Sequence, residues 1–290
     1  MERERHLMSH PRYSLVLPTY NAMSFIDKTW KEVVAFLTPR KGWEVLFVCD
    51  GCTDGTADEL VKRAAKTKLP IRVLHYKRNR GKGYAVRLGL QSGHGTYRMF
   101  TDVDLAYQMD MVEELAQKLE GSTNLVIASR AHTDSKVVNP NHMNAYLRRR
   151  KVQSFVFSSL ARGLLGITNK DPQAGLKGMH ESIAQQVLPY VKCVGFGFDS
   201  ELLVACRYLG IGITEMPVRV VYDETKSTTK FSTSVRMVRE LMRIRARWKT
   251  LKRRDFEMPE PRQGRRVRKK IRELKAERRL SAAGMGLQTA

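Results

Sequence analysis

The sequence predicts an α/β fold: a mostly parallel central sheet flanked by helices, with a basic helical extension at the C-terminus. Three observations predict it. Continuous apolar runs alternate with amphipathic stretches through the first 130 residues, polar and glycine-bearing clusters stand at the ends of those runs, and the charge pattern changes near residue 233. Strands that are apolar throughout are buried on both faces, which is the signature of parallel strands joined by crossover helices. In such sheets ligands bind beyond the carboxyl ends of the strands.

The elements follow in order. YSLVLP (13–18) is a short strand closed by proline, and residues 24–37 form a helix with Phe25, Val33, Phe36 and Leu37 on a rough apolar stripe. WEVLFV (43–48) is a strand, followed by a helix over 56–66 that Asp54 or Thr56 can cap. IRVLHY (71–76), a helix over 83–92, YRMFT (97–101), a helix over 109–119 and NLVIASR (124–130) complete the first half. Tyr20 and Asn21, Asp50 and Gly51, residues 79–83, Asp102 with Asp104, and Arg130 should therefore open onto one edge. The second half is less regular: a basic helix over 143–165, a turn-rich loop over 169–178 leading to a short strand, a helix over 198–208 and one strand over 213–222.

Charge sets the partners. Lys and Arg number 52 against 29 Asp and Glu, a formal net charge of +23, which calls for an anionic partner such as nucleic acid, acidic lipid or a phosphorylated substrate. Residues 233–290 carry 19 of the basic and 6 of the acidic residues. Within 233–252, Met237, Leu241, Ile244, Trp248 and Leu251 share one helical stripe flanked by Arg236, Arg239, Arg243 and Arg247. The expectation is an amphipathic basic helix on an anionic membrane surface, followed by a basic tail over 253–290. Packing of that helix on the domain or on a second subunit is the plainer alternative, and a homo-oligomer stays open. A nucleic-acid partner is disfavoured because no aromatic residues interleave the arginines. Cys49 and Cys52 have redox or zinc-knuckle spacing but no second Cys/His pair nearby, so reduced cysteines are expected. No apolar stretch of about 18 residues offers a membrane span. The N-terminus lacks the apolar core of a signal peptide, and a cytoplasmic, membrane-peripheral protein is the expectation.

Two carboxylates one residue apart, Asp102 and Asp104, follow an apolar run. Extended backbone would place them on one side, where Mg²⁺ or Mn²⁺ could bind both and complete its shell with water and phosphate oxygens. Taken alone the pair is more often a capped turn; its place at a strand end favours the metal. Asp50 could accept hydrogen bonds from a base or ribose or could simply form a turn. Residues 79–83 (NRGKG) pair flexible glycines with a basic residue, yet they are no P-loop, since residue 76 is Tyr where that motif needs Gly.

LPTYNA (17–22), DGCTDGT (50–56), RNRGKGYAVRLG (78–89) and DVDLA (102–106), in this order, resemble glycosyltransferase family 2 with its GT-A nucleotide-diphospho-sugar fold. SRAH (129–132), DPQAGLKG (171–178), FGFDSELL (196–203) and STTKFS (227–232) resemble its polyprenyl-phosphate and dolichyl-phosphate sugar transferases. The resemblance implies a GT-A domain over 12–232, with a nucleotide half over 12–130 and an acceptor half over 131–232. It implies that Pro18, Tyr20, Asn21, Asp50, Lys82 and Asp102 bind the nucleotide-sugar and that Asp102 and Asp104 hold Mg²⁺ or Mn²⁺. Asp171, Asp199 and Arg130 would stand at the reacting centre; Lys177 would face phosphate. Arg130, Arg148, Arg149 and Lys230 would meet an acceptor phosphate. Ala106 stands where mannose-type members often have Gln, which favours a UDP-glucose-like donor over GDP-mannose. The implied activity is metal-dependent, inverting transfer of a sugar to a polyprenyl or dolichyl phosphate. Transfer to a soluble or saccharide hydroxyl is one alternative, and a non-catalytic nucleotide-binding scaffold is another.

Overall fold

The computed structural model describes residues 10–138, 156–221 and 231–251. Strands β1 (Tyr13–Thr19), β2 (Trp43–Asp50), β3 (Ile71–Tyr76) and β4 (Tyr97–Phe100) alternate with helices α1 (Ile26–Leu37), α2 (Thr56–Ala65) and α3 (Lys82–Ser92). Helix α4 (Met109–Leu119) leads to β5 (Leu125–Ser129), and β6 is Lys136–Val138. Residues 156–165 are helical (α5). Then come β7 (Lys177–His180), α6 (Glu181–Val187), α7 (Phe198–Tyr208), β8 (Ile213–Pro217), β9 (Arg219–Val221) and α8 (Phe231–Thr250).

All eight residues of β2 are buried, as a central strand covered on both faces requires. On α1 the buried positions Ile26, Thr29, Val33, Phe36 and Leu37 recur at helical spacing, and the four apolar ones join one core with Leu15, Leu17, Phe47, Met99 and Leu115. The seven-stranded sheet has the order β3-β2-β1-β4-β7-β5-β8. β1 pairs in parallel with both β2 and β4, so the strand order reverses beside β1. That switch point is where a crevice opens at the carboxyl edge, and residues 20–21 and 101–104 flank it.

One feature was not read from the sequence, and another corrects the sequence reading. β7 enters antiparallel between β4 and β5; the local pattern of GLKGMH carries no record of so distant a pairing. This orientation brings its first residue to the carboxyl edge, with Lys177 opposite Phe100. The apolar run over 213–222 is two strands, not one. Pro217 has no N–H to continue the ladder. Val218 turns away, its N–H donating to Ser135 Oγ at 3.0 Å, and β9 pairs with β6 in a separate two-stranded sheet.

Helix α8 is also placed differently. Its stripe faces the protein: Leu241, Ile244 and Trp248 are 0–3% exposed, and residues up to Leu251 form one compact unit. Burying three such side chains stabilises by about 1.5–3 kcal/mol each, so this stripe is not available to a bilayer. Arg247, read as part of the basic flank, pairs with the buried Glu201. The tail over 253–290 lies outside the described residues.

Candidate active site

The first two loops of the edge are tied to each other. Asn21, with a left-handed φ of 47°, accepts the Thr53 N–H at 2.8 Å. Asp54 accepts the Met23 N–H and the Thr56 N–H at 3.0 Å each. The N-cap itself is Gly55, which has no capping side chain, so Asp54 fastens the start of α2 from one residue before the cap that the sequence assigned to Asp54 or Thr56. Burial pushes the Asp54 carboxyl up, but hydrogen bonds from Thr56 and Met23 outweigh this and hold it below the usual range. Pro18 is buried within β1, and Tyr20 beyond it is half exposed, leaving a free aromatic face at the rim.

Asp50 departs from the expectation. It is 3% exposed, and its carboxylate is filled from inside the protein. Oδ1 accepts from Tyr76 Oη at 2.8 Å and the Arg80 N–H at 2.7 Å; Oδ2 accepts the Gly81 N–H at 2.8 Å. In this structure Asp50 holds the 79–81 turn rather than presenting itself to a base or ribose.

That turn delivers Lys82. Its Nζ lies 2.6 Å from Asp102 Oδ1 and 3.8 Å from Asp199 Oδ2. Burial works against the Lys82 charge, but Asp102 and Asp199 overcome it and raise its pKa. Asp199 Oδ1 in turn accepts from Lys177 Nζ at 2.6 Å, and Lys177 also donates to the Ala174 carbonyl. Lys177 is fully buried; the resemblance had it facing phosphate, but here it lies beneath the site as the inner cation of an Asp102–Lys82–Asp199–Lys177 chain. Desolvation lowers its pKa against the pull of Asp199.

Asp171 and Arg130 form a second pair. Arg130 Nε donates to Oδ2 at 2.7 Å, Nη2 to Oδ1 at 2.9 Å, and the Arg130 backbone N–H to Oδ2 at 3.0 Å. Burial pushes Asp171 up, yet the Arg130 guanidinium and backbone prevail and hold it below the usual carboxylate range. The pairing was not foreseen, because the two residues are 41 positions apart. Arg148, Arg149 and Lys230 lie outside the described residues.

Asp102 and Asp104 sit in a turn beyond β4, not in extended backbone. The Leu105 N–H donates to the Asp102 carbonyl at 3.0 Å, Leu105 has a φ of 52°, and Asp104 Oδ1 accepts the Ala106 N–H at 3.1 Å. Both carboxylates are partly exposed. Among the described residues no group of three or more His, Cys, Asp or Glu could form a closed cage. An open set of one or two carboxylates fits Mg²⁺ or Mn²⁺, which keep water and phosphate oxygens in their shell. Gly175 lets Asp102 approach closely, for a Cβ there would fall on Asp102 Oδ2. Gly175→Ala is therefore expected to displace that carboxylate and cut activity by about 10²-fold, with a stability loss of about 1–3 kcal/mol. Initial rates beside a urea melt would check it; unchanged turnover would mean that the Asp102 position does not matter.

Comparisons with known proteins identify the family. Residues 14–188 match the family model described as Glycosyl transferase family 2. The chain is 30% identical over 250 residues to dolichyl-phosphate β-glucosyltransferase of Saccharomyces cerevisiae, covering 80% of this chain and 73% of that protein. It is 28% identical over 247 residues to the Dictyostelium discoideum protein of the same name, covering 81% and 74%. Glucosyl-3-phosphoglycerate synthase from Mycobacterium tuberculosis, solved with Mn²⁺, UDP and glucosyl-3-phosphoglycerate, superposes with a TM-score of 0.56. That likeness is at 20% identity and covers 81% of this chain and 78% of the other, so it speaks for the GT-A fold alone. From a switch-point crevice lined by ordered strand-end motifs, and from a family model that spans more than half of its length, the chain belongs to glycosyl transferase family 2 and is a glycosyltransferase.

Proposed function

We propose that the chain transfers glucose from UDP-glucose to dolichyl phosphate, or a similar polyprenyl phosphate, at the cytoplasmic face of a membrane. The observation that carries the acceptor class is the state of Asp171. A hydroxyl acceptor needs a base, and the acidic group placed nearest the chemistry by resemblance is locked bidentately to Arg130 and held below the usual range. A phosphate monoester is already largely ionised near neutral pH, with a second pKa of about 6, and attacks unaided. The similarity to dolichyl-phosphate β-glucosyltransferases supports the same reading, because its 247 aligned residues exceed the span 14–188.

In the reaction an acceptor phosphate oxygen bonds to the anomeric carbon as the bond to the UDP oxygen breaks. UDP leaves with the electron pair, and the configuration inverts. A divalent cation on Asp102 and Asp104 would neutralise charge on the departing diphosphate. Lys82, kept cationic by Asp102 and Asp199, adds a second positive charge on that side. Arg130, steadied by Asp171 and 26% exposed, offers its charge to the acceptor phosphate; Arg148, Arg149 and Lys230 are proposed for the same role.

Among the described residues no helix is long and apolar enough to cross a membrane. The proposed membrane contact is the outer face of α8. Val238 and Met242 are 37% and 53% exposed there, and Arg236, Arg239 and Arg243 are exposed around them. Incubation with a panel of UDP- and GDP-sugars, dolichyl phosphate and Mn²⁺ should give lipid-linked glucose from UDP-glucose. Transfer only to a soluble saccharide would overturn the acceptor, and preference for GDP-mannose would overturn the donor. Arg239→Glu with Arg243→Glu should weaken binding to anionic liposomes about tenfold or more, at about 1 kcal/mol per basic residue. Unchanged sedimentation would remove α8 from the membrane contact.

A further inference from the structure

Helix α8 also reaches back into the donor side of the site. Gly197 is the N-cap of α7 and has no side chain to satisfy the first turn. The missing cap comes from α8: Glu240 Oε2 accepts the Gly197 N–H at 2.8 Å and the Cys193 thiol at 3.7 Å. The CVGFG turn (193–197) closes tightly on this side chain, since a Cβ on Gly195 would strike the Glu240 carboxylate. A carboxylate here meets both an orphan N–H group and the positive end of the helix dipole.

What the cap fixes lies one step further in. Asp199, in the first turn of α7, holds Lys177 and faces Lys82. From the same 193–197 turn, the Val194 carbonyl accepts the Tyr84 N–H at 3.2 Å. The Cys193 and Gly195 carbonyls close over Gly83, where a Cβ would come within 2.8 Å of each. Gly81, with a φ of 101°, lies directly against Val194. Lys82 is thus clasped from both sides by a turn whose far end rests on Glu240.

We infer that Glu240 is a positioning residue for donor binding: an N-cap for α7 supplied from α8, it sets the 193–197 turn and through it Lys82 and Asp199. The inference rests on the reading of Lys82 and Asp102 as the donor-phosphate side. It makes the C-terminal helix part of the nucleotide-sugar site as well as of the outer surface.

The test uses the full chain with Glu240→Ala, Glu240→Asp and Glu240→Gln. UDP affinity is measured by calorimetry with Mn²⁺, and donor KM and kcat with UDP-glucose, at a temperature where melting curves show each variant folded. Glu240→Ala should weaken UDP binding and raise donor KM about tenfold, the scale of one lost charge-assisted hydrogen bond, with a smaller change in kcat. Glu240→Gln should recover most of this, because its Oε1 can accept the Gly197 N–H. Glu240→Asp, one methylene shorter, should fall between and supplies the comparison if the alanine variant does not fold. A lowered melting temperature with unchanged UDP affinity and donor KM would overturn the inference, as would a glutamine variant no better than alanine. Wild-type protein that binds UDP but glucosylates no dolichyl phosphate would overturn the acceptor reading, and the UDP comparison would still decide the role of Glu240.

Discussion

With the proposed metal role, Asp104→Ala is expected to lower sugar transfer by about 10²–10³-fold, or about 3–4 kcal/mol of lost leaving-group stabilisation, while changing stability by no more than about 0.5 kcal/mol. The small stability effect follows from its place. Asp104 is partly exposed in the turn beyond β4, where it accepts the Ala106 N–H at 3.1 Å. Asp102 is a less clean target, for its loss would also strip Lys82 of its nearest carboxylate. Initial rates with UDP-glucose and dolichyl phosphate across a Mn²⁺ series are the measurement. The variant should need more Mn²⁺ and reach a lower plateau. Retained turnover with an unchanged Mn²⁺ dependence would take Asp104 out of the metal set.

The parts of this fold legible in the sequence are those fixed by local pattern. WEVLFV is apolar but for Glu44 because β2 is covered on both faces, and residues 109–119 carry helical periodicity; the helix read as amphipathic over 198–208 is instead buried continuously from Phe198 to Cys206. The edge that gathers Tyr20, Asn21, Lys82, Asp102 and Arg130 followed from the rule for parallel strands. Pairings between distant segments were not legible. Nothing in GLKGMH announces an antiparallel strand between β4 and β5, so the burial of Lys177 beneath the site could not be read. The amphipathic stripe of α8 showed that one face is covered but not by what: Trp248 donates to the buried Glu201 at 2.9 Å where the sequence allowed a lipid surface. Asp50, at a strand end, and Asp171, in the loop before β7, illustrate the same limit, because such a carboxylate looks alike in sequence whether it faces a ligand or, as here, a backbone turn and an arginine.

Asp199→Ala is expected to cost about 3–5 kcal/mol of folding stability, the scale for a buried charge that loses its partner. Asp199 is 2% exposed and Lys177 is not exposed at all. Without Asp199, the Lys177 ammonium keeps the Ala174 carbonyl as its described hydrogen-bond partner, too little to offset its desolvation. The pH dependence separates this cause from a packing defect. Burial already lowers the Lys177 pKa with Asp199 present, and removing the carboxylate deepens that shift. The unfolded chain then binds more protons than the folded one through the alkaline range below the ordinary lysine pKa, so stability must rise with pH there. Urea unfolding of Asp199→Ala should show a deficit that shrinks between neutral and alkaline pH. Adding Lys177→Met to Asp199→Asn should restore most of the loss, because a neutral pair of similar volume leaves no charge to desolvate. A deficit constant with pH would place the lost energy in the packing of α7 rather than in the buried charge.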